Sequence, residues 1–232
     1  MKIGDMKVGD RLVFGRYAQR HGDVASPIVW IKASKDNQFI SEYVLDWAQF
    51  DGSEPGRVSG NPDYTLSNVY QFLNSSEDCM CHAPTHPQDT IGHSYAWKDG
   101  FLRLFEPYEL ASLDGCVDLP SVADIHGSAD RQKLDLFKKK GIRAKYCGSN
   151  SYTAYFTCDN EGDFVLVIPV SGHKVGWCPP YYEHGVRPKC KLKADIEVGR
   201  SEDETFHVIP FDCDPDQDDG YDESDLRILL GI

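Results

Sequence analysis

Three short runs of apolar, aromatic and β-branched residues fill much of the first 45 positions, and they constrain the fold more than any other feature. The runs are Leu12–Tyr17, Ile28–Ala33 and Phe39–Leu45, with Gly, Pro, Asp and Asn between them. Apolar runs of this length that are separated by turn-forming residues are typical of successive antiparallel strands. The pattern therefore predicts that the chain opens with a β-meander.

Helical signals follow the meander. One helix is predicted at Asn68–Asn74, where Ser67 is the candidate N-cap, and another at Tyr108–Leu113. A third spans Ser128–Gly141 and has the lysines Lys138–Lys140 in its last turn. Cations at a helix C-terminus complement the helix dipole, so this basic run does not require a phosphate ligand.

The second half of the chain returns to strand patterns. The continuously apolar run Phe164–Ile168 is typical of a central strand that is buried on both faces. From Val186 to Ala194 apolar and cationic residues alternate, which predicts one half-buried strand with Arg187 and three lysines on its outer face. Pro188 cannot donate a hydrogen bond to a neighbouring strand, so this strand should lie at a sheet edge or start at Pro188. The order of meander, helices and β-rich half favours an α+β fold over alternating βαβ units.

The charge of the chain narrows the class of partners. It has 24 Lys and Arg against 37 Asp and Glu, a formal net charge of −13. Such a chain is a poor non-specific ligand for nucleic-acid phosphates and for anionic lipid surfaces, so we expect it to bind neither directly. Its sequence contains neither an apolar stretch of about 20 residues that could span a membrane nor a secretory signal. We therefore expect a cytoplasmic protein, located in the host cytoplasm or the virion if it is phage-encoded.

Eight acidic residues between positions 212 and 225 set the C-terminal part apart. We predict one domain over 1–200 and an acidic extension over 201–232. Three interpretations of the extension stay open: a solvated tail, a segment docked on the lysines that follow Pro188, and a calcium site. The residues that resemble a calcium loop, without the spacing of an EF-hand, are Asp214, Asp216, Asp218, Gly220 and Glu223.

Several short segments between residues 3 and 194 match a known family in order. They are Val8–Asp10, Phe14–Gln19, Pro27–Trp30, Phe39–Asp46, Tyr70–Asn74 and Gly185–Pro188. Together they resemble a family of uncharacterised bacterial and phage proteins, and the last segment is also similar to the closing strand of C-type-lectin folds of the formylglycine-generating type. The resemblance implies a C-type-lectin-like single domain with a twisted antiparallel sheet, a few short helices and long loops that are available for binding.

The aromatic residues before this closing strand are the strongest candidates for ligand binding. Trp177, Tyr181 and Tyr182 lie in a Gly- and Pro-rich segment, and Tyr and Trp dominate binding hot spots. The alternative is that they cover the core. Arg187 is a further candidate ligand contact, and its alternative role is a clamp that holds loop carbonyls or a carboxylate. We predict a non-enzymatic recognition module for a protein or a glycan. The loops expected to take part are residues 51–63, 79–97 and 171–185.

A second group of residues has the chemistry of a metal site. Cys79, Cys81, His82 and His86 lie close together along the chain, and His93 follows. Zinc takes tetrahedral Cys and His ligands, although the Cys-x-Cys-His spacing differs from the usual two-residue knuckle. The sequence leaves three interpretations open: a zinc site, a redox or disulfide role for the cysteine pair, and loop residues without a ligand.

Two alternative functions stand beside recognition. A compact, strongly acidic phage protein is able to imitate nucleic acid and block the basic channel of a host defence enzyme. Similarity to formylglycine-generating enzymes implies instead a metal- or thiol-dependent oxidase, for which Cys178 and Cys190 lie near the closing strand. The sequence contains no nucleotide-binding, serine-hydrolase or zinc-protease motif that would favour another enzyme class.

Overall fold

A computed structural model describes residues 1–18, 24–51, 60–82, 95–126, 143–147, 149–172 and 174–211. The strands are β1 (Arg11–Tyr17), β2 (Ser26–Lys32), β3 (Gln38–Ser41), β4 (Asp46–Gln49), β5 (Asp78–His82), β6 (Tyr95–Asp99), β7 (Ala144–Lys145), β8 (Tyr152–Thr153), β9 (Tyr155–Glu161), β10 (Phe164–Ile168), β11 (Gly176–Cys178), β12 (Glu183–Val186), β13 (Lys189–Lys191), β14 (Val198–Arg200) and β15 (Phe206–Val208). The helices are α1 (Asn68–Leu73), α2 (Pro107–Ser112) and α3 (Val122–His126). Many strands and a few short helices confirm the predicted α+β class.

The first sheet has six strands in the order β13-β3-β2-β1-β15-β14. β1, β2 and β3 pair antiparallel in succession, so the predicted opening meander is confirmed. β13 pairs antiparallel with β3, and β15 pairs parallel with β1. Strands from the end of the chain thus flank the meander on both sides.

The sequence-based division at residue 200 falls inside a hairpin of this sheet. β14 ends at Arg200 and pairs antiparallel with β15, which begins at Phe206. Phe206 and Val208 are buried members of the core. The folded part of the chain therefore continues beyond residue 200. Residues 212–232 of the predicted extension lie outside the described residues, and they include the residues that resemble a calcium loop.

The second sheet has five strands in the order β11-β10-β9-β12-β4, all antiparallel except for β9 and β12. Val165 and Val167 on β10 point to the main core, which both sheets enclose. The other face of β10 is covered only towards Ile168, which joins a smaller cluster with Ala144. Phe164, at the opposite end of β10, is 47% exposed. The prediction that Phe164–Ile168 is buried on both faces is therefore wrong at this end.

The chain passes from the second sheet to the first between β12 and β13. Arg187 and Pro188 form this crossover. The prediction of one half-buried strand from Val186 to Ala194 is wrong, because the alternation runs across strands in two different sheets. Arg187 is buried, with 4% of its surface exposed, and does not belong to an outer cationic row. β13 starts directly after Pro188 and is a terminal strand of its sheet among the described residues, in agreement with the prediction from Pro188.

The lysines of β13 have carboxylate partners within the described residues. Lys189 Nζ lies 2.9 Å from Asp124 Oδ2, and Lys191 Nζ lies 2.6 Å from Asp114 Oδ2. An acidic extension that docked on this row, as one interpretation predicts, would have to compete with these two pairs.

Local sequence signals explain the first two helices. The Ser67 hydroxyl accepts a hydrogen bond from the Tyr70 amide at 3.1 Å, as expected of the N-cap of α1. Glu106 and Glu109 form a capping box at the start of α2. The helix predicted at 128–141 lies outside the described residues. Among the helices that the structure describes, none combines the length and the apolar character needed to cross a membrane.

Candidate functional site

The structure separates the four candidate ligand contacts into exposed and buried residues. Trp177 lies on β11 and is 65% exposed, and Tyr182 in the turn before β12 is 54% exposed. Tyr181 is half-buried, and its ring packs perpendicular to that of Tyr182 with 5.1 Å between centroids. Arg187 lies inside the protein. Exposure therefore makes Trp177 and Tyr182 the accessible members of the predicted set.

Strand register determines which residues surround Trp177. Trp177 pairs with Leu166 on β10, whereas the next residue, Cys178, pairs with Val165 on the core side. At the far end of β10, Phe164 pairs with Glu161 on β9. Because side chains alternate along a strand, Trp177 and Phe164 project from the same outer face of the second sheet.

A hydrogen bond fixes the orientation of the indole. Trp177 Nε1 donates to Glu161 Oε2 at 2.8 Å. Glu161, Phe164 and Trp177 together line an open depression of about 430 Å³. We call these three residues the Trp177 surface. Sequence reasoning missed Glu161 and Phe164, and the available signal was Gly162, whose φ of 60° makes the tight turn that brings the two residues opposite each other.

The side chains of the Trp177 surface are able to accept hydrogen bonds from a ligand but have no donor left to offer it. The indole has a single hydrogen-bond donor, and the Glu161 carboxylate accepts it. Glu161 as a carboxylate and Phe164 have no side-chain donor of their own. The surface therefore offers a ligand two aromatic rings and a carboxylate that is able to accept further hydrogen bonds.

Tyr181 and Tyr182 lie near the opposite edge of the same sheet. They precede β12, and β12 is separated from β11 by β10 and β9. At about 4.8 Å between neighbouring strands, β11 and β12 are roughly 14 Å apart. Tyr182 is therefore not part of the Trp177 surface, although a ligand that spans three strand spacings could contact both.

Arg187 connects the two sheets. Its Nε donates to the Ser41 carbonyl of β3 at 3.1 Å, and its guanidinium carbon lies 5.3 Å from the centroid of the Tyr155 ring on β9. Burial raises the pKa of Tyr155, and the neighbouring guanidinium opposes that shift. This placement agrees with the clamp interpretation of Arg187 and gives a ligand no access to it.

The predicted zinc ligands lie at the margin of the described residues. Cys79, Cys81 and His82 belong to β5, which pairs with β6, and only the backbone is described there. His86 and His93 lie outside the described residues, as do parts of the predicted binding loops, 52–59 and 83–94. Within the ranges that the structure describes, no group of three or more His, Cys, Asp or Glu is arranged to hold a metal ion. The zinc site stays a prediction.

The cysteines near the closing strand are buried thiols. Cys178 and Cys190 are 3% and 2% exposed, and burial raises the pKa of Cys178 to about 12 and the pKa of Cys190 further. At neutral pH a thiol of this pKa holds its proton, and the thiolate is the reactive form. The two residues also lie in different sheets, since β11 carries Cys178 and β13 carries Cys190. Their placement favours a packing role and gives no support to the thiol-dependent oxidase.

A second polar cluster surrounds the start of α3. The Asp124 carboxylate accepts from the Ser121 amide at 2.8 Å and from Lys189 Nζ at 2.9 Å. Burial raises the pKa of the Asp118 carboxyl, which lies nearby, and raises the pKa of the Cys158 thiol to about 12. Asp124 thus binds Lys189 and the backbone at the start of α3, so its role is explained by the fold.

Comparison of the chain with protein-family models, with curated proteins and with solved structures finds no match. The resemblance to the bacterial and phage family therefore stays a prediction.

Proposed function

We propose that this protein is a non-enzymatic recognition module, bacterial or phage-encoded, that binds a protein or glycan ligand through the Trp177 surface. The proposal includes a fold related to C-type lectins, as the sequence resemblance implies. One observation supports it above all: Trp177 is 65% exposed, yet a hydrogen bond to Glu161 holds the indole in one orientation beside Phe164.

Exposure and fixed orientation together favour binding. A tryptophan side chain buries up to about 250 Å², so covering the exposed 65% of Trp177 is worth at most about 4 kcal/mol at about 25 cal/mol per Å². A side chain that is already held in place loses less conformational freedom when a ligand covers it. Trp177 therefore has the properties of a binding anchor.

The proposal moves the predicted site from loops to a sheet. The expected loops at 51–63 and 79–97 are described only in part, and the segment 171–185 contains β11, which carries Trp177. A strand in a sheet holds its side chains more rigidly than a loop, which suits a preorganised contact. Tyr182 lies about three strand spacings away and is not part of this surface.

Array binding of the labelled full-length protein tests the proposal. We expect it to bind a subset of features on a glycan array or a peptide array, and we expect Trp177→Ala to lower that signal about tenfold because it removes the anchor. Leu66→Ala is the matched control, because Leu66 is a comparably exposed apolar residue outside the surface, at 61%. Equal binding by wild-type protein and Trp177→Ala would refute the proposal.

The net charge of −13 favours one alternative, the imitation of nucleic acid by an inhibitor of a basic enzyme. Such binding weakens steeply with salt and is displaced by double-stranded DNA. A ligand captured through Trp177 should instead be lost in Trp177→Ala and should not be displaced by double-stranded DNA.

A further inference from the structure

We propose that the Trp177 surface binds a cationic side chain, lysine or arginine, on a protein partner. This inference rests on the proposed function and specifies its ligand. The Trp177 surface combines aromatic faces with a carboxylate, and that combination is the chemistry that attracts an organic cation.

The side chains of the Trp177 surface favour a ligand that donates hydrogen bonds over one that needs to accept them. Trp177 Nε1 is directed at Glu161 Oε2, 2.8 Å away, and neither Glu161 nor Phe164 supplies a side-chain donor. A sugar presents hydroxyl groups that both donate and accept, so half of its hydrogen-bonding capacity would find no match in these three side chains. A lysine or arginine side chain has donors only, and it therefore matches a surface that has acceptors only.

Electrostatics favours the same ligand. A cation over the Trp177 ring is attracted by the face of the ring and lies close to the Glu161 carboxylate at the ring edge. Asp163, in the exposed turn between Glu161 and Phe164, adds a second negative charge. The nearest cationic residue in sequence is Lys174, which precedes β11 and lies three positions before Trp177. The net charge of −13 raises the local concentration of basic partners.

The position at a sheet edge favours a polypeptide as the carrier of the cation. β11 is the last strand of the second sheet among the described residues. The backbone groups on the outer side of an edge strand are available to an added strand, which is a common mode of peptide binding. A peptide that paired there would place every second side chain on the face that carries Trp177.

A titration followed by NMR tests the inference on the full-length protein. The probes are acetylated, amidated pentapeptides Gly-Gly-X-Gly-Gly, in which X is lysine, arginine or the neutral isostere norleucine, with methyl α-glucoside as the sugar probe. The readout is the indole N–H signal of Trp177, assigned by its loss in Trp177→Phe. We expect the lysine or arginine peptide to shift this signal and norleucine to bind roughly three- to fivefold more weakly.

Two matched variants distinguish the effect of the Glu161 carboxylate from the effect of the overall negative charge of the protein. Glu161→Gln should weaken the cationic peptide about threefold, whereas Glu202→Gln, which neutralises an exposed carboxylate between β14 and β15, should not. Equal affinity for lysine and norleucine peptides, or no effect of Glu161→Gln, overturns the inference.

The sugar probe separates failure of this inference from failure of the proposed function. A Trp177 shift with methyl α-glucoside and none with the cationic peptides overturns the cation as ligand and leaves recognition through Trp177 intact. No shift with any probe, together with array binding that Trp177→Ala leaves unchanged, overturns both.

Discussion

The outer face of the second sheet has two ends that carry similar residues in opposite surroundings. At one end Tyr155 and Arg187 form an aromatic–cation pair, with the guanidinium carbon 5.3 Å from the ring centroid. At the other end Trp177 and Glu161 form an aromatic–anion pair, with a 2.8 Å hydrogen bond. Tyr155 is fully buried, whereas Trp177 is 65% exposed.

The role of each pair depends on whether other residues of the protein cover it. At the buried end the smaller apolar cluster covers Tyr155, and the guanidinium of Arg187 holds the Ser41 carbonyl of the other sheet. A buried charge is costly without such fixed partners, so loss of these contacts should destabilise the fold. At the exposed end water covers the indole, and a ligand is able to replace that water. An aromatic side chain beside a charged one is therefore structural at the buried end and suited to recognition at the exposed end.

Removal of Arg187 should give the largest effect. Arg187→Ala takes away a donor to the Ser41 carbonyl and leaves a cavity beside Tyr155, so we expect the free energy of unfolding to fall by about 3 kcal/mol. Trp177→Ala should change it by less than about 1 kcal/mol because the indole is mostly exposed. Urea unfolding measures both, and similar losses would contradict the distinction between the two ends.

Glycine-to-alanine substitutions should also distinguish the two ends. The difference in unfolding free energy between them should be about half of the difference between Arg187→Ala and Trp177→Ala. A Cβ at Gly185, beside the buried end, would lie 2.5 Å from Val44 Cγ1 and 2.7 Å from the Ala154 carbonyl oxygen. We expect Gly185→Ala to lower the free energy of unfolding by about 2 kcal/mol, since a backbone atom cannot easily move away. Gly162→Ala in the turn at the exposed end meets no atom within 4 Å and should cost about 1 kcal/mol, from its φ of 60° alone. Thermal unfolding of both variants compares them, and a larger loss for Gly162→Ala would reverse the interpretation.

The smallest expected effect is a pH dependence of stability that arises from a histidine on the inner face of the second sheet. The ring of His184 on β12 packs at 5.4 Å from Phe156, and burial lowers the pKa of its imidazole. The unfolded chain then takes up a proton near pH 6.5 that the folded protein does not, so the stability contributed above that pH is lost as the pH falls. Between pH 7 and pH 5 we therefore expect the contribution of this group to the free energy of unfolding to fall. The difference between wild-type protein and His184→Leu in unfolding free energy should shrink over this interval, and a constant difference would contradict the assignment.

Elements whose signals lie within a few residues could be predicted from the sequence. The opening meander followed from three apolar runs and the turns between them, and α1 followed from Ser67 and the spacing of Val69 and Phe72. The crossover at Arg187 could not be predicted, because apolar and polar residues keep alternating while the chain moves from one sheet to the other. Alternation of apolar and polar residues indicates an extended local backbone, but it does not indicate which sheet the strand joins.

The candidate site was predictable only in part. Trp177 stood out as an aromatic residue in a Gly- and Pro-rich segment, but its partners did not. Phe164 belongs to an apolar run that is typical of a buried strand. Glu161 precedes the turn-forming residues Gly162 and Asp163, where solvent exposure is expected. Which end of β10 is covered depends on residues far along the chain, such as Ala144 in the smaller cluster.

The amino-acid order by itself determined the acidic character of this protein, its α+β class, the meander and the first helices, because charge, turn chemistry and capping act over short distances. Only the tertiary structure decided that Arg187 is enclosed, that Trp177 stays open and that Glu161 holds it. Burial depends on what packs against a face, and that layer comes from segments that are remote in the chain.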